Sequence, residues 1–250
     1  MPNLTALYAQ ASELIRKSPK PLVFTGAGMS KESGIPTFRD ALDGLWSRYN
    51  PEDLASAEAF RSDPALVWSF YEERRRTLWH CQPNAGHHAL AELERKRPGL
   101  TIVTQNVDGF HQAAGNTTVY PLHGNILQNR CFHGCAGLHE TRREPTPDGL
   151  PPACPTCGKR SLRPDVVWFG EMLDEDLMQK AMDAVQECDL MLIIGTSGLV
   201  YPAAGLAEIA MDSWRTVIEI NPTRSTFSNR VNLFIPSTAA EALPRIVDTL

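Results

Sequence analysis

Pro21-Leu22-Val23-Phe24-Thr25-Gly26-Ala27-Gly28-Met29-Ser30 runs on to Gly34-Ile35-Pro36-Thr37-Phe38-Arg39. The apolar run Leu22-Val23-Phe24 reads as a buried strand, and the glycines at 26 and 28 break it. Glycine permits a tight turn and lets an anion come close to backbone amides. Ser30 and the residues after it are expected to open a helix, whose N-terminus attracts negative charge. That is the logic of a dinucleotide site without the usual fingerprint. In Gly-x-Gly-x-x-Gly the third glycine would fall at Lys31, and here the next one is Gly34. An ordinary strand-to-helix turn with two glycines fits the same residues, so the rest of the chain has to decide.

Outward from this stretch, strands alternate with helices. Leu4, Leu7, Ala11, Leu14 and Ile15 have helical spacing over residues 3–17, and Ser18-Pro19-Lys20-Pro21 stops that helix. Residues 39–50 read as a loop. Asp63-Pro64 starts a helix expected to reach Trp79, and a second covers about residues 85–96. No strand is expected over residues 40–99, so these form a helical excursion. Strands are expected at 100–104, 117–122, 165–170, 189–194, 216–220 and 231–235. Helices are expected at 108–114, 174–188, 202–211 and 239–250. This alternation implies an α/β fold with a doubly wound parallel sheet. Polar clusters follow residues 104, 122, 194 and 220, at the carboxyl ends where such sheets bind ligands. Residues 141–155 are proline-rich and read as an exposed loop.

Length and composition bound the function. The 250 residues suit one large domain or a domain with an insertion, and 42% hydrophobic residues suit a globular protein. A formal charge of -5 and a pI near 5.8 argue against a general nucleic-acid binder. Leu190 to Ile194 is far too short an apolar run to span a membrane. Met1-Pro2-Asn3-Leu4-Thr5 lacks the basic and apolar segments of a secretory signal, so the cytoplasm is the expected compartment; a monomer is expected.

Cys131-x3-Cys135 and Cys154-x2-Cys157 are separated by 18 residues. Two such pairs offer four thiolates to one tetrahedral zinc, and four thiolates leave no open position for chemistry. Two disulfides are the alternative, disfavoured by compartment. His133 is a further potential ligand. Cys81 and Cys188, at helix ends, read as buried thiols.

Taken in order, these motifs resemble one family. Gly26-Ala27-Gly28-x-Ser30, Gly34-Ile35-Pro36-x-Phe38-Arg39, Gln105-Asn106-Val107-Asp108, His123-Gly124, the two cysteine pairs, Val167-Trp168-Phe169-Gly170-Glu171, Gly195-Thr196-Ser197 and Ile220-Asn221-Pro222 follow the order expected of a sirtuin. The resemblance covers residue 21 to the C-terminus. Val107 stands where isoleucine is commoner, and the first cysteine pair is one residue longer. The resemblance implies an NAD-dependent protein-lysine deacylase that consumes NAD, releases nicotinamide and leaves the acyl group on ADP-ribose. It implies a Rossmann-like domain made of residues 1–39, 100–128 and 164–250. A small domain would hold the helical excursion 40–99 and the zinc module 129–163.

Site residues follow by the same resemblance. Gly26, Ala27 and Gly28, with Ser30 beside them, would cradle the NAD pyrophosphate. Ile35, Phe38, Gln105, Asn106, Val107 and Asp108 would line the nicotinamide side, where an aspartate can accept from a carboxamide NH2. His123 would be the general base, with Asn106 beside it, since imidazole titrates near neutrality. Gly195, Thr196, Ser197, Asn221 and Ala239 would hold the adenosine end. Arg39 would contact phosphate or order the loop after Phe38. Val167, Phe169 and Gly170, with Val200, would pair with the substrate peptide through the main chain. Val167 and Phe169 share one face, expected to be buried.

Tyr71 and Arg74 lie three apart on one helix face, where a phenol and a guanidinium can grip a carboxylate together. Sirtuins that remove succinyl, malonyl or glutaryl groups resemble this segment, with a small residue upstream that Ala55 matches. A solvated run Arg74-Arg75-Arg76 beside a core tyrosine is the competing reading. Competing functions are a mono-ADP-ribosyltransferase using the same pocket and a non-catalytic NAD sensor. His123 and Asn106 argue against the sensor. A hydride-transferring dehydrogenase and a zinc-ribbon nucleic-acid binder fit less well.

Overall fold

The computed structural model describes residues 3–37, 49–146 and 148–250. Phe38, Arg39 and most of the loop expected over 39–50 lie outside the described residues. In chain order the elements are α1 (Leu4–Lys17), β1 (Pro21–Thr25), α2 (Pro51–Leu54), α3 (Ala57–Ser62), α4 (Pro64–Trp79) and α5 (Ala85–Lys96). Next come β2 (Thr101–Thr104), α6 (Phe110–Ala114), β3 (Val119–Pro121), β4 (Gly124–Cys131), β5 (His139–Glu140) and β6 (Leu162–Val166). The chain ends with α7 (Glu175–Glu187), β7 (Leu190–Ile194), α8 (Ala204–Asp212), β8 (Thr216–Ile220), β9 (Leu233–Ile235) and α9 (Ala239–Val247).

Six parallel strands form one sheet in the order β3-β2-β1-β7-β8-β9. The chain builds outward from β1 to β3, then returns to start again at β7 beside β1. The ends of β1 and β7 therefore flank the crevice where such sheets take a ligand. Every residue of β1 and β7 is buried, because helices cover both faces. Val23, Ile102, Leu192 and Ile218 point to one face, against α1, α5 and α9. Leu22, Phe24, Met191, Ile193 and Val217 point to the other, against α7 and α8.

The expected helix after Ser30 does not form. Two short 3-10 turns, Ala27–Met29 and Lys31–Ser33, carry the chain to Gly34, whose φ of 90° ends them. Gly26 N–H donates to the Ile194 carbonyl at 3.0 Å and Gly28 N–H to the Gly195 carbonyl at 2.8 Å. The glycines thus let the β1 loop lie backbone-to-backbone on the β7 loop. A Cβ on Gly28 would sit 2.7 Å from the Gly195 Cα, and one on Gly195 would sit 2.5 Å from the Gly28 carbonyl carbon.

A second, antiparallel sheet β5-β4-β6 carries the cysteine segment. Neither β4 nor β5 is among the expected strands, and β6 ends at Val166 rather than running to 170. The arginine run of α4 divides. Arg76 is exposed, Arg74 half-buried, and Arg75 fully buried. Arg75 donates through Nε to the Ile126 carbonyl at 2.7 Å and through Nη2 to Asn129 Oδ1 at 2.6 Å, stapling α4 to β4. Burial pulls its pKa down to about 10. The proline-rich loop is not simply exposed: Thr146 receives the Trp68 indole N–H at 3.0 Å and donates its amide to Glu72, both on α4. No helix among the described residues is long and apolar enough to cross a membrane.

Gly28→Ala forces one backbone off another, so a stability loss on the order of 1–3 kcal/mol is expected. Gly205→Ala, with nothing within 4 Å of the added carbon, should stay within about 1 kcal/mol of the parent. Urea unfolding of both variants checks the contrast.

Candidate active site and metal centre

The carboxyl ends of the parallel strands bring most of the expected site residues together. Gln105 N–H donates to the Thr25 carbonyl at 3.0 Å, joining the β2 end to β1. Asn221 Nδ2 donates to the Thr196 carbonyl at 2.9 Å, joining the β8 end to β7. With the Gly28–Gly195 contact between them, a continuous rim runs from Asn221 to Gln105. His123 closes it, with Nδ1 2.9 Å from the Gln105 carbonyl oxygen. A carbonyl only accepts, so Nδ1 carries the hydrogen and Nε2 keeps a lone pair. Burial pulls the His123 pKa down, against the raising effect of that carbonyl.

Beneath the rim lies a buried polar network. Ser30 Oγ donates to Asp108 Oδ2 at 2.6 Å and accepts from Asn106 Nδ2 at 3.2 Å. Asp108 Oδ1 also accepts the Phe110 amide at 2.8 Å. Ser30 therefore orients Asn106 and Asp108. Burial pushes the Asp108 pKa up, opposed by Ser30. His87, which has no role in the sequence reading, supports this group. Its Nδ1 accepts the Asn84 amide at 3.2 Å, so Nε2 carries the hydrogen and faces Ser30 Oγ at 3.4 Å. His111 Nε2 lies 3.0 Å from Thr25 Oγ1, which itself donates to Thr104 Oγ1 at 2.7 Å. Both histidines are buried, and burial lowers their pKa values to about 3 and about 4 respectively. They stay neutral. The one signal for His87 in the sequence is Asn84-x-x-His87 at a helix start, a capping box.

Two observations bear on whether the rim suits a dinucleotide. Gly26 and Gly28 have committed their amides, so among the described residues Ala27 holds the uncommitted N–H of this loop. Gln105 Nε2 is buried and finds no partner among the described residues. An unpaired buried donor costs free energy until a ligand oxygen meets it. At the far end, Ala239 is buried at the start of α9, and its neighbour Ala240 gives its amide to Glu32 at 2.8 Å.

The segment 167–170 is turned opposite to expectation. Val166 and Trp168 are buried, whereas Val167 is half-buried and Phe169 is 46% exposed. Trp168 wins the interior because its ring stacks under the Arg163 guanidinium, 3.2 Å from the ring centroid, and its indole N–H donates to Tyr71 Oη at 2.9 Å. Val167 N–H donates to the His123 carbonyl at 3.0 Å, and Phe169 N–H to the Ala55 carbonyl at 2.9 Å. Phe169 and Gly170 are exposed; on the loop after β7, Val200 is half-buried and Leu199 and Tyr201 are exposed. Ala55 and Tyr71 are buried in one apolar cluster, against which Ile35 and Val107 pack. Tyr71 therefore belongs to the core as well as to the candidate pocket.

The four cysteines converge apart from this rim, with all four sulfurs within 4.8 Å of one another. Cys131 Sγ and Cys157 Sγ are 3.8 Å apart and unbonded, which rules against a disulfide between them. Sulfurs about 2.3 Å from a tetrahedral zinc are separated by about 3.8 Å, so the cluster fits the ion. His133 is not part of it. Cys188 is buried, while Cys81 is only half-buried.

Residues 26–202 match the Sir2 family profile. The chain is 46% identical over 242 residues to an NAD-dependent protein deacylase of Ralstonia nicotianae, covering 97% of this chain and 96% of the relative. It is 44% identical over 237 residues to NAD-dependent protein deacylase 2 of Pyrobaculum aerophilum, covering 95% and 93%. Among solved structures, a Sir2 homologue in complex with NAD superposes with a TM-score of 0.90 at 41% identity, covering 96% of this chain and 93% of that one. A mutant Sir2 homologue in complex with 2′-O-acetyl-ADP-ribose superposes with a TM-score of 0.89 at 41% identity, covering 96% and 95%.

Elemental analysis should find one zinc per chain in the parent and none in Cys154→Ser. Acid stability follows from the buried histidines. Unfolded histidine binds a proton near pH 6.5, while these hold none in the folded chain until about pH 4 and below. Their contribution is present above pH 6.5 and is lost as pH falls toward 4. The slope is about 1.4 kcal/mol per pH unit for each histidine. Denaturant unfolding between pH 7 and 4.5 should show this decline, shallower in His111→Gln; a flat profile contradicts it.

Proposed function

The chain belongs to the Sir2 family, and from that premise we propose that it removes acidic acyl groups from lysine side chains, with acetyl also accepted. It is an NAD-dependent protein deacylase acting on acylated protein substrates. The succinyl, malonyl or glutaryl preference is our reading of its pocket. The observation that carries it is the burial of Ala55 and Tyr71 in the cluster that also receives Ile35 and Val107. In our reading this cluster would set the acyl end and the nicotinamide end of the reaction side by side. Arg74, one turn beyond Tyr71, is half-buried, and burial lowers its pKa against the raising influence of Tyr71. Burial raises the Tyr71 pKa to about 12, so the phenol keeps its hydrogen as a donor. A guanidinium and a phenol donor together match a carboxylate. In our reading the small Ala55 would leave width for it.

NAD, when bound, supplies the ribose that takes the acyl group and the nicotinamide that leaves. In our reading the Ala27 amide and Gln105 Nε2 meet its oxygens, and Gly195, Thr196, Ser197, Asn221 and Ala239 surround the adenosine end. Phe38 and Arg39 are assigned to the same site by resemblance alone. Asn106 and Asp108, held by Ser30, face the nicotinamide amide. His123 Nε2 takes a proton from a ribose hydroxyl, and its Nδ1–H keeps the ring turned by holding the Gln105 carbonyl. Val167, Phe169, Gly170 and Val200 bind the peptide beside the acyl-lysine. The zinc module, residues 129–163, and the helical excursion, 40–99, make up a small domain packed on the Rossmann-like remainder. The absence of a disulfide among the six cysteines, four of them clustered for a metal, suits the cytoplasm, and we read the chain as a monomer.

Mass spectrometry of succinyl-lysine and acetyl-lysine peptides, with and without NAD, tests the reading. Both should lose their acyl mass only with NAD. Arg74→Met should lower kcat/KM on succinyl-lysine by about 10-fold or more, as expected for losing a hydrogen bond to a charged group, and far less on acetyl-lysine. Equal losses would sink the acidic-acyl reading. Because burial lowers the His123 pKa, its neutral form persists to lower pH. The acid limb of kcat/KM should therefore fall below the ordinary imidazole value of 6.5. A limb above that value would remove His123 from the role of base.

A further inference from the structure

Tyr71 Oη has one hydrogen to give and lone pairs to receive. The Trp168 indole nitrogen donates to it at 2.9 Å, and an indole N–H can do nothing but donate. A phenolic hydrogen prefers the plane of its ring, with two positions open to it. The Trp168 hydrogen occupies one side of the oxygen, so the Tyr71 hydrogen is driven to the other. We propose that Trp168 is a positioning residue for acyl selectivity, orienting the Tyr71 hydroxyl so that it donates to the carboxylate of an acidic acyl group. This rests on the acidic-acyl reading of the same pocket.

The indole is itself held on two sides. Its ring is 1% exposed and lies against Arg163, with Phe60 at 5.5 Å between centroids on another side. Arg163 cannot drift, because its Nη2 donates to the Val166 carbonyl at 2.6 Å and both Nη1 and Nη2 engage the Glu171 carboxylate. Glu171 in turn accepts the Trp168 backbone amide at 2.9 Å and Arg130 Nη2 at 3.0 Å. The carboxylate that holds the stacking arginine thus also holds the tryptophan's own backbone. On either side of Trp168 the main chain is tied to the candidate base and to the small residue of the acyl pocket. Val167 binds the His123 carbonyl and Phe169 binds the Ala55 carbonyl. A rigid indole at this position delivers a donor whose direction cannot adapt. A phenylalanine there would fill nearly the same space and deliver none.

Trp168→Phe separates the two contributions. Steady-state kinetics on succinyl-lysine and acetyl-lysine peptides at saturating NAD should show the succinyl-to-acetyl ratio of kcat/KM falling about 3- to 10-fold, the size of one net hydrogen bond. The change should sit in KM for the succinyl peptide. In a Tyr71→Phe background the same substitution should move that ratio no further, which a purely structural role for Trp168 would not produce. Parallel loss on both peptides, or an unchanged ratio, overturns the proposal and leaves Trp168 a packing residue. A parent enzyme that ignores succinyl-lysine overturns the acidic-acyl reading itself and this proposal with it. A parent that processes succinyl-lysine, with a succinyl-to-acetyl ratio that Trp168→Phe leaves unchanged, overturns this proposal alone.

Discussion

The close approach of two backbone loops holds the molecule's working end together. Gly28 and Gly195 touch where β1 and β7 part company, and no side chain fits between them. Because Gly28 N–H is bonded to the Gly195 carbonyl, two halves of the parallel sheet that are far apart in sequence share one rigid floor. Everything placed on that floor inherits its precision. Asn221 reaches in from β8, Gln105 from β2, and His123 from the end of β3, each tied to it by a hydrogen bond to a neighbouring main chain. A side chain bonded to backbone is held more tightly than one bonded to a mobile partner, since the backbone has already surrendered its freedom.

Two polar networks stand on either side of this floor and work differently. The first, around Ser30, Asn106, Asp108 and His87, is neutral apart from one carboxylate and is buried. Its value lies in direction: each donor has one acceptor, so Asn106 and Asp108 cannot exchange roles. The second, around Glu171, Arg163 and Arg130, is ionic. Burial tends to raise the Glu171 pKa, yet its arginine partners bring the net shift below the ordinary value. Isolated buried charges are costly, and such clusters hold only where every lone pair and proton is used. Here the surplus bonds go to the backbone of residues 166 and 168, which fixes the strip joining His123 to Ala55.

Much of this was legible in the sequence, and the gaps have physical causes. Helix α4 is bounded where Asp63-Pro64 and the stop after Trp79 put it, because capping chemistry is local. The parallel strands are legible because strands buried on both faces are continuous apolar runs. Strand β4 is not, since Gly124-Asn125-Ile126-Leu127-Gln128-Asn129-Arg130-Cys131 buries its residues irregularly and has a register shift between Asn125 and Asn129. The expected inward face of residues 167–169 is reversed in the structure, because alternation says which residues share a side, not which side is inward. Trp168 decides that through Arg163, a partner five residues upstream that no period reveals. His87 and His111 escaped because a buried neutral histidine carries no motif of its own. Arg75 hid inside a run of three arginines, since only the packed fold distinguishes its side of the helix from that of its neighbours.

The strip from Val167 to Phe169 has spent all three of its amide hydrogens inward, on the His123 carbonyl, the Glu171 carboxylate and the Ala55 carbonyl. Two of these residues are engaged through further main-chain pairing as well: the Trp168 carbonyl accepts the Glu171 amide at 2.9 Å, and Phe169 forms a parallel bridge with Ser56. The strip behaves as a splice between three separate segments of chain, so a displacement at Ala55, His123 or Glu171 is carried to the other two.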